Sequence, residues 1–192
     1  MRNVGNGQGS DGLGALVKRV QRETGRRVPD FDPAGPGATA RVLIMLRDPG
    51  NSDGGALRTG FVSPWTNNDA TARNEKRLIS AAGLARTACL FWNAIPWDLE
   101  GRDPSAADKE RGAVYLKALI ALLPKLRAIV ACGNEAQEVC RRAGLTDFLA
   151  TCHPGNRGLS GGVAGARASR EADFIQKMRI AARRASNGSA KK

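Results

Sequence analysis

Histidine is almost missing from this 192-residue chain: there is one, His153. That scarcity excludes the metal centres built from several imidazoles. Cysteine is sparse too, and the four present, Cys89, Cys132, Cys140 and Cys152, form no C-x-x-C pair. With one histidine, a zinc site would need all four thiolates, so no metal is expected. Three of the thiols lie in or beside apolar strand-like runs and read as small buried hydrophobes in a reducing cytoplasm. Long apolar runs are also lacking. None approaches the roughly 18 uncharged residues of a membrane span. The opening "MRNVGNGQGSDG" has no apolar segment of the secretory kind. Acid is the last deficit: 18 Asp and Glu stand against 30 Lys and Arg, a net charge of +12. A field of that sign draws in polyanions, nucleic acid first. The plain alternative is that the basic residues only solvate helix faces and tails.

What the chain does have is enough apolar residue, 42%, to bury one core. No repeat or linker divides it. The expectation is a flexible Gly/Asn-rich tail over residues 1–11, one domain over 12–185, and a basic tail over 186–192. Helical periodicity or end signals mark 12–24, 69–83, 105–123, 134–143 and 168–185 as helices. In 105–123 the apolar positions include Val114, Leu116, Ile120 and Leu123. Residues 28–37, "VPDFDPAGPG", read as irregular. Apolar runs at 40–46, 87–95, 126–133 and 147–154 have strand length. Strands of the buried kind alternating with helices predict an α/β fold with a four-stranded parallel sheet covered on both faces.

Ligands of such sheets bind beyond the carboxyl ends of the strands. Three segments fall there: "RDPGNSDGG", "WNAIPW" and "CHPGNRG". Asp48 is either a turn residue before Pro49-Gly50 or a carboxylate able to orient or deprotonate water. Asn93 interrupts an apolar strand, so its amide bonds to nearby backbone or points into a pocket, where it could read the edge of a base. His153 is a loop histidine or, as a neutral imidazole, a donor to a developing oxyanion. Arg157 is a solvated charge or a phosphate contact. Phe61, in "TGFVSPW", caps the core or stacks on a flat ligand.

In this order along the chain, Asp48-Pro49, Phe61, Asn93 and His153-Pro154 resemble the uracil-DNA glycosylase superfamily, and "GRDPS" and "IVACGNEA" are similar to it as well. The likeness spans about residues 41–184. It implies a three-layer α/β/α sandwich that hydrolyses the N-glycosidic bond of a flipped-out uracil or related deaminated base in DNA. It implies that Asp48 positions or activates water, that Phe61 stacks on the base, and that Asn93 and the main chain around Arg47 bind its edge. His153 would meet the charge arriving on the base. Pro154, Gly155, Asn156 and Arg157 would hold the DNA. No cysteine precedes Cys89, so the branch implied is one without an iron–sulfur cluster, and no cofactor is expected.

The chain departs from the family pattern at Leu46, where glycine is usual, and at Gly155, where His-Pro-Ser is usual. Asn156-Arg157-Gly158 replaces an apolar wedge. A second expectation is therefore kept: a nucleic-acid-binding module of the same fold with little catalysis. A monomer is expected in either case.

Overall fold

The computed structural model describes residues 8–162 and 165–187, and the side chains from residue 12 onward. In chain order its elements are α1 (Gln8–Thr24), β1 (Asp30–Phe31), β2 (Val42–Leu46), α2 (Ala56–Thr59), β3 (Phe61–Val62), α3 (Ala70–Ala81), β4 (Cys89–Asn93), α4 (Ala106–Ala121), β5 (Ala128–Cys132), α5 (Asn134–Arg142), β6 (Leu149–Thr151), α6 (Asn156–Ser160) and α7 (Ala166–Ser186). The expected tails fall mostly outside the described residues. Their inner ends do not: α1 already begins at Gln8, and α7 reaches Ser186.

The main sheet has four parallel strands in the order β4-β2-β5-β6. Its central strand, β2, reads VLIML, and Val42, Leu43, Ile44 and Met45 are fully buried. Alternation of side chains divides the core in two. Leu43, Met45, Leu90, Trp92, Ile129 and Ala131 face a layer containing α1, α4 and α5. Val42, Ile44, Phe91, Val130 and Cys132 face the layer of α3 and α7. The fold is therefore a three-layer α/β/α sandwich. No helix among the described residues is long and apolar enough to cross a membrane.

The helix ends follow side-chain chemistry. Asp69 caps α3 by accepting from the Ala72 N–H (2.8 Å). Ser105 and Asp108 form a reciprocal capping box on α4, and Arg102 clamps Asp108 at 2.5 and 2.9 Å. This is the structural work of "GRDPS".

Two expectations need correction. The stretch 28–37 is not wholly irregular: Asp30 and Phe31 form β1, which pairs in parallel with β3. Pro29 and Pro33 flank those two residues without occupying the ladder. Phe31 stacks on Trp92 at a centroid distance of 4.9 Å, so burial of its ring offsets the cost of so short a strand. In α4, Val114 is turned outward and 53% exposed, while Ala113, Tyr115, Leu116 and Leu119 are buried.

Gly112 sets how closely α4 can approach the end of β4. A Cβ there would overlap the Ala94 carbonyl oxygen. Ala94 and Ile95 are in turn tied to the end of β2 by N–H donation to the Leu46 and Arg47 carbonyls (2.8 and 2.9 Å). Gly112→Ala should therefore destabilise the protein by about 1–3 kcal/mol through overpacking. Chemical denaturation measures this, and an unchanged midpoint would contradict the close approach.

Candidate active site

The carboxyl ends of β2, β4 and β6 open into a cavity of about 740 Å³. Asp48, Asn93 and His153 all line it, with Arg157 at its rim. Three widely separated segments thus meet because their strands are parallel and pair with a common core. The register places Leu46 opposite Asn93.

Asp48 is half-buried and ion-paired with the neighbouring Arg47 guanidinium, which also reaches Asp103 at 3.3 Å. Burial raises the Asp48 carboxyl above the usual aspartate range. Arg47 opposes that shift, and the Glu135 and Asp103 charges add to it. The result is a more basic carboxylate than a solvated one, on a residue that lines the cavity. Asn93 is 2% exposed, and its amide takes no partner among the described residues. An unpaired buried amide is costly, so the cavity is the place where a ligand would satisfy it.

His153 is held by backbone. The Gly155 N–H donates to Nδ1 (3.0 Å). An imidazole that accepts at Nδ1 is neutral and carries its proton on Nε2. Burial, and then the Arg47 charge, hold its pKa below the ordinary 6.5. Three glycines pack against it. A Cβ at Gly133 would lie 3.2 Å from the His153 Cβ, and one at Gly155 would lie 3.0 Å from Nδ1. One at Gly158 would overlap the His153 carbonyl oxygen. The departure at Gly155 thus has a local reason: the chain curls tightly enough over the ring to bond it.

The segment after His153 is not an irregular loop. Residues 156–160 instead form α6, with Leu159 fully buried beneath it. Leu159 is therefore spent on the core. Pro154 is buried, whereas Asn156 and Arg157 are exposed at the cavity mouth. Two residues not singled out in the sequence fasten this segment. Asn74 donates to the Pro154 carbonyl and to Asn156 Oδ1, both at 3.0 Å. Arg170 donates to the Gly158 carbonyl (2.9 Å). No local pattern marks either one, since both contacts cross between elements.

Phe61 is not among the residues lining the cavity. It lies half-buried in β3, paired with Asp30, while its neighbours Val62, Ser63 and Pro64 line the wall. The aromatic residues that do line the cavity are Phe91 and Trp92, and the Phe91 ring is set against Trp65 at 5.7 Å and 52°. Leu46 also lines it, narrowing the space across the ladder from Asn93.

Cys89, Cys132 and Cys140 are free and buried, as expected for small hydrophobes, whereas Cys152 is free but only half-buried. No group of three His, Cys, Asp or Glu side chains converges as a metal-binding set among the described residues.

An acid on α3 also lines the cavity. Glu75 is 2% exposed, and its Oε1 has no hydrogen-bond partner. It stands between Ala72 and Leu78 on the buried face of the helix. A charged residue in that apolar stripe was the available sequence signal.

The fold and the site together define an α/β/α sandwich with a cavity at its strand ends that both polar and apolar groups line. No family model matches the chain, and no curated protein matches it.

Burial pushes the Glu75 carboxyl from 4.5 up to about 8, with the Asp69 charge adding to the shift. The folded state thus holds this proton more tightly than the unfolded chain does. The resulting stability is whole below pH 4.5 and is lost as pH rises toward 8. Glu75→Gln should flatten the fall in denaturation midpoint across that window. Parallel profiles for the two proteins would mean that Glu75 ionises as freely as a solvated acid.

Proposed function

We propose that this protein is a monofunctional DNA glycosylase that removes uracil or a related deaminated base and leaves an abasic site. The observation that carries the reading is that Asp48, Asn93 and a neutral His153 line one cavity at the strand ends. The reaction needs few parts. The bond between C1′ of the sugar and the base nitrogen breaks, and its electron pair leaves with the base. Water adds to C1′ and gives a proton to the Asp48 carboxylate, while the same negative charge supports the cationic sugar. His153 Nε2–H donates to the base oxygen on which charge collects. Asn93 holds the base edge. Phe91 takes the stacking position that the sequence resemblance assigned to Phe61.

DNA is the partner the charge favours. The exposed Asn156 and Arg157, on an element fastened by Asn74 and Arg170, supply groups for the backbone of a strand whose base is turned out. Free thiols suit the reducing cytoplasm. A monomer suffices for the chemistry.

The Arg47–Asp48 ion pair favours a second reading, in which the same fold binds nucleic acid with little catalysis. The guanidinium occupies the carboxylate that would otherwise receive the water proton. Salt-dependent DNA binding without base release would favour this reading.

A base-release panel of oligonucleotides carrying uracil, hypoxanthine, xanthine and mismatched thymine, both single- and double-stranded, separates the two. Wild type should produce alkali-labile sites. Asp48→Asn should reduce release about 10²–10⁴-fold. His153→Ala should reduce it about 10²–10³-fold. Neither should lower the melting temperature enough to explain the loss. The acid limb of the rate profile should lie above 3.8, because burial raises the Asp48 carboxyl. Full activity in both variants would remove the mechanism.

A further inference from the structure

Glu75 remains unexplained by that chemistry. Glu75 stands on the inner face of α3 and lines the cavity that holds Asp48, Asn93 and His153. It is 2% exposed, and Oε1 meets no donor or acceptor. No hydrogen bond joins the carboxyl to any other described residue. A structural acid in a core is normally paired, because an unmet buried polar group costs free energy. Here the structure retains an unpaired acid where a Leu or Met would continue the stripe of Ala72 and Leu78. The cavity that Glu75 lines is a place from which a partner can come.

We propose that Glu75, in its carboxylic acid form, donates a hydrogen bond to a carbonyl oxygen of the base held in the cavity, and so stabilises the base as it leaves with negative charge. The inference rests on the glycosylase reading. No proton leaves Glu75. Its O–H remains covalent, and the donor strengthens as electron density moves onto the base oxygen. His153 meets one oxygen of the base and Glu75 meets another, which suits a heterocycle bearing two carbonyls, such as uracil or xanthine. A carboxylate in the same place would repel the departing anion, so the acid must stay protonated. Its surroundings provide for that. Asp69, at the cap of the same helix, is the charge that bears on it, while the thiols of Cys89 on β4 and Cys132 on β5 feel its field in turn. Asp48 and His153 share the cavity. Burial and Asp69 together hold the carboxyl at about 8. A carboxylic acid kept neutral in this way can serve as an oxyanion donor.

The test compares wild type, Glu75→Gln and Glu75→Leu in two assays. One is single-turnover release of uracil from an oligonucleotide. The other is equilibrium binding of free uracil. Gln retains a donor that does not titrate, whereas Leu retains none. Wild-type release and binding should each fall roughly tenfold between about pH 7 and 9, the fraction of acid lost on passing a pKa of about 8. Glu75→Gln should show less of this fall than wild type in both assays. Glu75→Leu should release uracil about 10²-fold more slowly at pH 7 and bind the free base at least tenfold more weakly. Both variants should melt no lower than wild type at pH 8, so that misfolding does not explain a loss. Wild-type rates in Glu75→Leu, or the same alkaline fall in Glu75→Gln as in wild type, would overturn the role of Glu75 and leave the glycosylase reading standing. Uracil binding that depends on Glu75, without release of any base, would retain Glu75 as a base contact and sink the glycosylase reading. No release and no binding by wild type would sink both.

Discussion

Pairing of β2 on both of its edges decides where every candidate group stands. A strand with one partner can slip or bend at its free side. This one is held by β4 and β5 in continuous parallel register, from Val42 opposite Cys89 and Ala128 to Met45 opposite Trp92 and Ala131. A shift of one residue would turn Val42 and Ile44 into the wrong layer, so the two-sided core enforces the register. Once it is set, Asp48 and Asn93 emerge at one end of the sheet. The ladder continues beyond the strand ends, where Ala94 and Ile95 donate to the Leu46 and Arg47 carbonyls. The site therefore rests on backbone hydrogen bonds rather than on mobile loops.

Within the cavity, burial acts on three acids and bases in different ways. It raises the Asp48 and Glu75 carboxyls and lowers the His153 imidazole. In each case the charged form is the one penalised. Arg47 tempers this for Asp48 and adds to it for His153, so one guanidinium helps keep one group ionised and the other neutral. Glu75 has no such neighbour and meets only the charge of Asp69. Groups of ordinary composition are in this way divided into a carboxylate, a neutral imidazole and a protonated acid. That division is what the proposed hydrolysis, with its anionic leaving group, would use.

Much of the fold was legible in the sequence, because its signals are local. The apolar runs at 40–46, 87–95, 126–133 and 147–154 each contain a strand of the parallel sheet, and Asp69 and Ser105 cap helices where end signals placed them. The misses came from tertiary contact. β1 exists because Phe31 finds Trp92, and no turn rule anticipates that. Val114 lies outward because α4 must bring Gly112 against Ala94, which sets the helix rotation. Asp48, Asn93 and His153 were legible as polar residues at strand ends, and they meet in the cavity. Phe61 was read as a loop aromatic, but it pairs in β3 and does not line the cavity, whereas Phe91 does. Asn74 and Arg170 were invisible because their partners lie on other elements. Glu75 was visible in principle, as a charge at an apolar position of a helix.

The bond from the Gly155 N–H to His153 has a consequence for how this site can vary. A ring oriented by a carboxylate loses its tautomer when that one side chain is replaced. A ring oriented by a peptide N–H depends on chain path alone, and the path here is enforced by the absence of side chains at Gly133, Gly155 and Gly158. The proton on Nε2 is thus indifferent to the identity of Asn156 and Arg157, which project outward from the same segment. Surface chemistry at the cavity mouth can drift while the imidazole N–H inside stays in register.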